Sequence, residues 1–83
     1  MKIKIKLYAM LSQYLPADSS NNQFNIIIPK GETIQSLLDR LRLPGEMCHL
    51  VLINGHYVYP SNRTTQVLSD GDNLAIWPPI AGG

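Results

Sequence analysis

Cysteine is nearly absent from this sequence. Its 83 residues include a single thiol, Cys48, so the chain cannot form an internal disulfide. This usage is consistent with a reducing compartment. A solitary cysteine can act as a nucleophile, but Cys48 lies between Met47 and His49 with no second thiol. We therefore interpret Cys48 as a small apolar side chain that fills space.

Charge is also scarce. Charged residues make up 16% of the chain, and the net charge is +1. This balance gives no reason to expect nucleic acid or an anionic membrane as a partner. No apolar run approaches the roughly 18 residues of a membrane-spanning helix, and residues 1–6 alternate charged and apolar side chains, unlike a signal peptide. We expect a cytoplasmic protein without membrane contact.

The sequence lacks a self-contained active site. His49 and His56 have no neighbouring group of carboxylates or thiols that would complete a metal site or a catalytic triad. Asp70 and Asp72 flank Gly71 and are typical of a turn. No glycine-rich loop with a lysine is present to hold a nucleotide phosphate. We expect no bound metal and no bound cofactor.

The sequence does contain the pattern of one small domain with one core. Alternating and β-prone runs predict strands at 2–7, 23–29, 50–53, 56–59 and 74–77, and apolar residues at helical spacing predict helices at 9–15 and 34–41. Thr33 is the predicted N-cap of the longer helix, and Asn54-Gly55 is a two-residue hairpin turn. We predict an α+β fold, a mixed five-stranded sheet with the main helix packed on one face and a short extra helix.

The last strand is predicted to present Trp77 on the face that the helix leaves open. If Leu74 and Ile76 point under the helix, strand alternation sends Ala75 and Trp77 to the opposite side. The apolar run 50–53 must place two further side chains there. This face is a candidate docking patch, and the alternative is that Trp77 merely covers an edge of the sheet.

The first strand carries Lys2, Lys4 and Lys6 on one side and apolar residues on the other. The alternation predicts a half-buried strand. The three lysines are either a partner site or simply the solvated face of the sheet, and the sequence leaves both open.

The C-terminal segment 78–83 is predicted to be a flexible tail beyond a body that spans 1–77. Pro78 and Pro79 have no backbone N–H and favour an extended exit from the preceding strand. Gly82 and Gly83 lack a Cβ, so the terminal carboxylate can enter a channel too narrow for other residues. The alternative is an ordinary frayed terminus.

A free terminal carboxylate is ionised near pH 7 and is a poor electrophile, so it needs activation. Adenylation by ATP would create a mixed anhydride from which a sulfur or amine nucleophile displaces AMP. Because this chain has no recognisable ATP site, a separate activating enzyme is required.

These features together resemble the MoaD/ThiS family of sulfur carriers. The residues that carry the resemblance are the terminal Pro78-Pro79-Ile80-Ala81-Gly82-Gly83, the turn Ser69-Asp70-Gly71-Asp72-Asn73 between Leu68 and Leu74, the Asn54-Gly55 hairpin and the Thr33-led helix. The resemblance covers nearly the whole chain. It implies a ubiquitin-like β-grasp fold whose last glycine is adenylated by an E1-like adenylating enzyme and then converted to a thiocarboxylate.

The resemblance also implies roles for individual residues. Gly83 would carry the acyl-adenylate and then the sulfur, and Gly82 would provide steric access. The partner-binding residues would be Trp77, Pro78, Pro79, Ile80 and Ala81.

The Pro-Pro stretch is more similar to the small subunit of molybdopterin synthase than to thiamine carriers. The implied partners are an E1-like adenylating enzyme, a sulfur donor protein and a large molybdopterin synthase subunit or a thiazole synthase. A thiamine thiazole carrier, a ubiquitin-like modifier conjugated through Gly83, and a plain interaction domain with an inert tail remain alternatives.

Overall fold

The computed structural model describes residues 1–79. The strands are β1 (Lys2–Leu7), β2 (Gln23–Ile27), β3 (Leu50–Ile53), β4 (His56–Tyr57) and β5 (Asn73–Trp77), the α-helix is α1 (Ile34–Arg40), and 3-10 helices span Ala9–Tyr14, Gly45–Met47 and Pro60–Asn62. Within this part of the chain, no helix has the length and apolar character needed to cross a membrane.

The five strands form one mixed sheet in the order β2-β1-β5-β3-β4. The central pair β1 and β5 is parallel, and the other neighbours are antiparallel. Because β5 is hydrogen-bonded to β1 on one side and to β3 on the other, the last strand lies inside the sheet. The predicted mixed five-stranded sheet is confirmed.

Helix α1 covers one face of this sheet. Its buried residues Ile34, Leu37 and Leu38 belong to the same core cluster as the inward side chains of the central strands. The fully buried strand residues are Ile3, Ile5, Leu7, Val51, Leu74 and Ile76. Period-two alternation in the strands and an apolar stripe on the helix therefore meet in one core, as the sequence predicts.

Helix α1 begins and ends through specific hydrogen bonds. At its start, Thr33 Oγ1 accepts from the backbone N–H of Ser36 (3.1 Å), and Ser36 Oγ accepts from the backbone N–H of Thr33 (3.0 Å). This reciprocal capping box confirms Thr33 as the N-cap. At its end, the N–H groups of Arg42 and Leu43 donate to the carbonyls of Asp39 and Leu38, which is the Schellman pattern.

Helix α1 ends and strand β5 begins one residue earlier than predicted. Three elements differ from the prediction in type or by two residues. The predicted helix at 9–15 is a 3-10 helix, Ala9–Tyr14, in which Leu11 is buried and Tyr14 is exposed. Strand β2 ends at Ile27 instead of residue 29. Strand β4 stops at Tyr57 instead of residue 59, because its pairing with β3 ends after one further bond, Val58 N–H to the Val51 carbonyl, and a 3-10 helix starts at Pro60.

Candidate functional site

The face of the sheet opposite α1 is open, and its centre is apolar. Along β5, Leu74 and Ile76 are buried, whereas Ala75 and Trp77 are half-buried. The two outward residues of β3 pair with them, Leu50 opposite Trp77 and Leu52 opposite Ala75. Alternation therefore puts Trp77 on the open face, beside aliphatic side chains, as the sequence predicts.

Trp77 is held by an aromatic stack that the sequence reasoning missed. The rings of Tyr8 and Trp77 are parallel within 5°, with centroids 4.3 Å apart. The parallel register of β1 and β5 pairs Leu7 with Ile76 and so places the next residues, Tyr8 and Trp77, side by side. The Tyr8 N–H also donates to the Ile76 carbonyl (3.2 Å), which extends the pairing. The Trp77 ring is therefore fixed in orientation before any partner arrives.

An apolar groove of about 360 Å³ begins at this stack. It is lined by Ala9, Met10, His49, Leu50, Trp77, Pro78 and Pro79. Met10 is 66% exposed, and together with Leu50 and Trp77 it makes this surface an apolar patch. The groove lies where β5 ends, so it borders the first residues of the predicted tail.

The structure places the first three of the predicted partner-binding residues together in this groove. Trp77 is half-buried, Pro78 is buried and Pro79 is exposed. The chain therefore reaches the surface at Pro79. The other predicted site residues, Ile80, Ala81, Gly82 and Gly83, lie outside the described residues. The predicted boundary between body and tail stays a prediction.

A polar network fixes the start of β5 at the opposite end. Asp72 accepts hydrogen bonds from the Ser69 N–H (Oδ2, 2.8 Å) and from Asn54 Nδ2 (Oδ1, 2.9 Å). The side-chain Oδ1 of Asn54 in turn accepts from the Asn73 N–H (2.9 Å). The turn of the β3–β4 hairpin is thus tied to the turn that precedes β5, which explains why the sequence has Asn54 there.

The neighbouring carboxylate, Asp70, ties the same turn to β1. Its Oδ1 accepts from the Lys2 N–H (2.7 Å), and the Gly71 N–H donates to the Lys2 carbonyl (2.8 Å). Gly71 has φ +86°, a left-handed conformation that glycine adopts at little cost. Asp70 and Asp72 are therefore turn formers, as predicted; both oxygens of Asp72 and Oδ1 of Asp70 accept from backbone or amide donors.

Cys48 precedes His49, a lining residue of the groove, but its own side chain is buried in the core. Loss of solvation raises the pKa of its thiol; Arg63 opposes this and Glu46 adds to it. A neutral buried thiol is a poor nucleophile, which supports the space-filling interpretation. Arg63, itself buried, was missed by the sequence reasoning; its Nη2 lies 3.5 Å from the His49 carbonyl oxygen, a long contact.

The arrangement defines a class: a small β-grasp domain with an apolar open face where the chain leaves β5. The model of the ThiS family matches residues 8–83. The chain belongs to the ThiS family, and the resemblance to MoaD/ThiS sulfur carriers is confirmed. The comparison with curated proteins gave no match.

Solved structures agree on the fold. SAMP1 from Haloferax volcanii has a TM-score of 0.72 and 24% identity, with 100% of both chains covered. A protein from Pyrococcus furiosus, provisionally named molybdopterin converting factor subunit 1, has a TM-score of 0.69 and 24% identity over 95% of this chain and 98% of that one. The complex of subunits 1 and 2 of molybdopterin-converting factor from Helicobacter pylori has a TM-score of 0.59 and 19% identity, with 100% of both chains covered. The predicted ubiquitin-like β-grasp fold is confirmed.

Proposed function

We propose that this protein is a sulfur carrier whose C-terminal Gly83 is adenylated by an E1-like enzyme and converted to a thiocarboxylate. The sulfur is then donated in the biosynthesis of molybdopterin. The observation that carries the proposal is the end of β5. A central strand, fixed on both sides, delivers the chain to the surface at Pro79 beside an apolar groove.

That geometry suits a domain that docks while its terminus reacts elsewhere. From Pro79 to Gly83 the chain has five residues, which span about 15 Å if extended. Such a reach lets the terminal carboxylate enter a partner's active site while the open face of the sheet contacts the partner outside it. Gly82, without a Cβ, keeps the approach to the reacting carbon free.

The reaction proceeds in two steps. The Gly83 carboxylate attacks the α-phosphate of ATP bound to the activating enzyme, which releases pyrophosphate and leaves an acyl-adenylate. A sulfide equivalent from a sulfur donor protein then attacks the acyl carbon, and AMP leaves. The product is a thiocarboxylate with one sulfur in place of one oxygen. This chain contributes the acyl group, and the nucleotide site belongs to the enzyme.

Molybdopterin is the proposed destination because of two observations. The tail begins with Pro78-Pro79, the feature that is more similar to the small subunit of molybdopterin synthase than to thiamine carriers. The Helicobacter pylori complex also contains a protein of this fold assembled with a second subunit. On this proposal the large synthase subunit receives the thiocarboxylate, and the thiazole of thiamine remains the competing acceptor.

A second function, conjugation to lysines of other proteins, starts from the same adenylate. The similarity to SAMP1, a small archaeal modifier protein, supports it. The two fates differ in the nucleophile, which is a sulfide equivalent in one and a lysine amine in the other.

Intact-mass measurement separates these fates. The purified chain is incubated with the E1-like enzyme, ATP and sulfide, and then with a lysate of the source cells. After the first incubation we expect the mass of the chain to rise by one oxygen-to-sulfur exchange. In a parallel sample that receives the large synthase subunit and the pterin precursor, we expect this added mass to be lost. A ladder of protein adducts without the sulfur exchange would favour the modifier, and an unchanged mass would leave a plain interaction domain.

A further inference from the structure

The open face of the sheet also carries a row of positive charge. Lys2, Lys4 and Lys6 alternate with buried residues of β1, so all three project to the side opposite α1. Residues two apart on one strand are about 6.6 Å apart, so the row is about 13 Å long. Strand alternation therefore aligns the three lysines in one row along β1.

The residues that pair with this row across the sheet are uncharged. The antiparallel partners on β2 are Ile27, Asn25 and Gln23, and the parallel partners of Lys4 and Lys6 on β5 are Asn73 and Ala75. Lys4 and Lys6 are half-buried, which is typical of lysines whose aliphatic stems pack on an apolar surface while the ammonium groups stay in water. The paired residues of β2 and β5 therefore carry no negative charge that would neutralise the lysines.

Two carboxylates lie near the row, but neither forms an ion pair with it. Asp18 and Asp70 border shallow depressions on either side of Lys4. In residues 1–79 the one salt bridge is Arg40 to Glu32, far along the sequence from β1. Asp70 is also engaged by a backbone N–H. Within residues 1–79, no carboxylate of this chain lies within ion-pair distance of the three ammonium groups.

The lysine row is continuous with the apolar groove. The residue that follows Lys6 on the same side of the chain is Tyr8, which stacks on Trp77. Lys6 also lies opposite Ala75, whose other neighbour is Leu52. One surface therefore has an aromatic and aliphatic half at the exit of the tail and a basic half that leads away from it.

We propose that this open face docks a protein whose contact surface combines an apolar patch with a row of carboxylates that pair with Lys2, Lys4 and Lys6. A protein fits this surface better than a nucleic acid because half of it is apolar and the basic half has three charges in a single line. The inference rests on the proposed function and deepens it by stating the surface chemistry of the E1-like adenylating enzyme, the first partner that receives the tail. The apolar half supplies affinity, and the lysines supply orientation and association rate.

The main test uses two double variants with the same change in charge. Lys4→Gln with Lys6→Gln removes two charges from the row, and Lys30→Gln with Arg42→Gln removes two charges elsewhere. Binding to the E1-like adenylating enzyme is measured at low salt and near 0.15 M ionic strength. We expect about tenfold weaker binding and a flatter salt dependence for the row variant, and a change of less than about twofold for the control. Equal losses in both variants, or no loss in either, would overturn the proposal.

A second arm does not depend on the proposed function. Amide shifts of the ¹⁵N-labelled chain are followed during titration with hexaglutamate and, separately, with a single-stranded thymidine oligonucleotide. We expect hexaglutamate to shift residues 2–8 and 73–77. No shift there, or tighter binding of the oligonucleotide at equal ionic strength, would reject an acidic protein as the occupant. If these shifts appear but Gly83 is never thiolated, the docking surface stands and the sulfur-carrier proposal fails.

Discussion

At the scale of single residues, the stacked rings of Tyr8 and Trp77 are the contact that joins stability to function. Trp77 is half-buried and could serve the fold, a partner, or both. Because Tyr8 precedes the 3-10 helix and Trp77 precedes the tail, the stack fixes two chain segments at one point. The contribution of the stack to the free energy of unfolding can be separated from that of burying each ring alone.

A double-mutant cycle measures that contribution. Tyr8→Leu, Trp77→Leu and the double variant are compared with the wild type by urea unfolding. We expect a coupling free energy of about 0.5–1.5 kcal/mol, because stacked aromatic pairs add this much beyond buried area. Tyr8→Phe is the matched control, since it keeps the ring and removes the hydroxyl group. A coupling energy near zero would show that the two rings contribute independently.

At the scale of elements, the end of α1 is an unoptimised cap. Arg42 occupies the C′ position of a Schellman motif with φ +58°, in the left-handed region. Glycine usually occupies this position because it has no Cβ to strain. Arg42 is exposed, and it therefore carries the backbone cost without a buried contact to offset it.

Arg42→Gly is therefore expected to stabilise the domain. Relief of the left-handed strain is worth about 1 kcal/mol, which corresponds to a rise in Tm of about 4–8 °C for a domain of this size. Arg42→Ala is the control, because it removes the same charge but keeps the Cβ. If calorimetry gives Arg42→Gly a Tm no higher than that of Arg42→Ala, the left-handed conformation of residue 42 does not lower the stability of the domain.

The last turn of α1 is also tied to the segment before it by an ion pair. Arg40 donates two hydrogen bonds to Glu32, from Nε to Oε2 (2.7 Å) and from Nη2 to Oε1 (3.0 Å). These bonds lower the pKa of the Glu32 carboxyl, and its desolvation acts in the opposite direction. The Glu32 carbonyl accepts from the Leu68 N–H (2.9 Å), so the pair also steadies the chain that leads to β5.

This pair predicts a pH dependence of stability. A carboxyl with a lowered pKa in the folded state stabilises the fold fully above its ordinary pKa, and loses that contribution as the pH falls through the folded value. The free energy of unfolding of the wild type should therefore exceed that of Glu32→Gln near neutral pH, with the gap closing in acid. Asp39→Asn is the control, because it removes a carboxylate of α1 that forms no ion pair with Arg40. A gap of constant size between neutral and acid pH would contradict this origin.

The elements that the sequence predicted well are those specified locally. Helix α1 follows from Thr33 and an apolar stripe at helical spacing, and the β3–β4 turn follows from Asn54-Gly55, whose residues have φ +50° and +84°. The end of β4 was wrong because β-prone residues continue to Tyr59 while the pairing with β3 does not. Where this hairpin stops pairing is set by the 3-10 helix that begins at Pro60, and the β-propensity of residues 58 and 59 does not indicate that turn.

At the scale of the whole molecule, the parallel contact of the first and last strands builds the site. Alternation alone predicted that Trp77 lies on the open face. Its neighbour Tyr8, 69 positions earlier, could not be predicted, because the β1–β5 register is set by the core and not by either strand alone. The same register aligns the lysine row with the groove. The sequence therefore indicates which residues face outward, and the fold determines which of them meet.

The whole-molecule prediction is that the body and the terminus can be separated. If the sheet serves as a rigid platform and Gly83 as the reacting group, one serine added after Gly83 should abolish thiolation, because the new carboxylate carries a side chain where the approach requires none. Tm, far-UV circular dichroism and binding to the adenylating enzyme should stay at wild-type values. Lys30→Gln, which leaves the terminus intact, should be thiolated normally. Thiolation of the extended chain would mean that the reacting group is not the terminal glycine, whereas loss of binding would mean that docking itself depends on the free end.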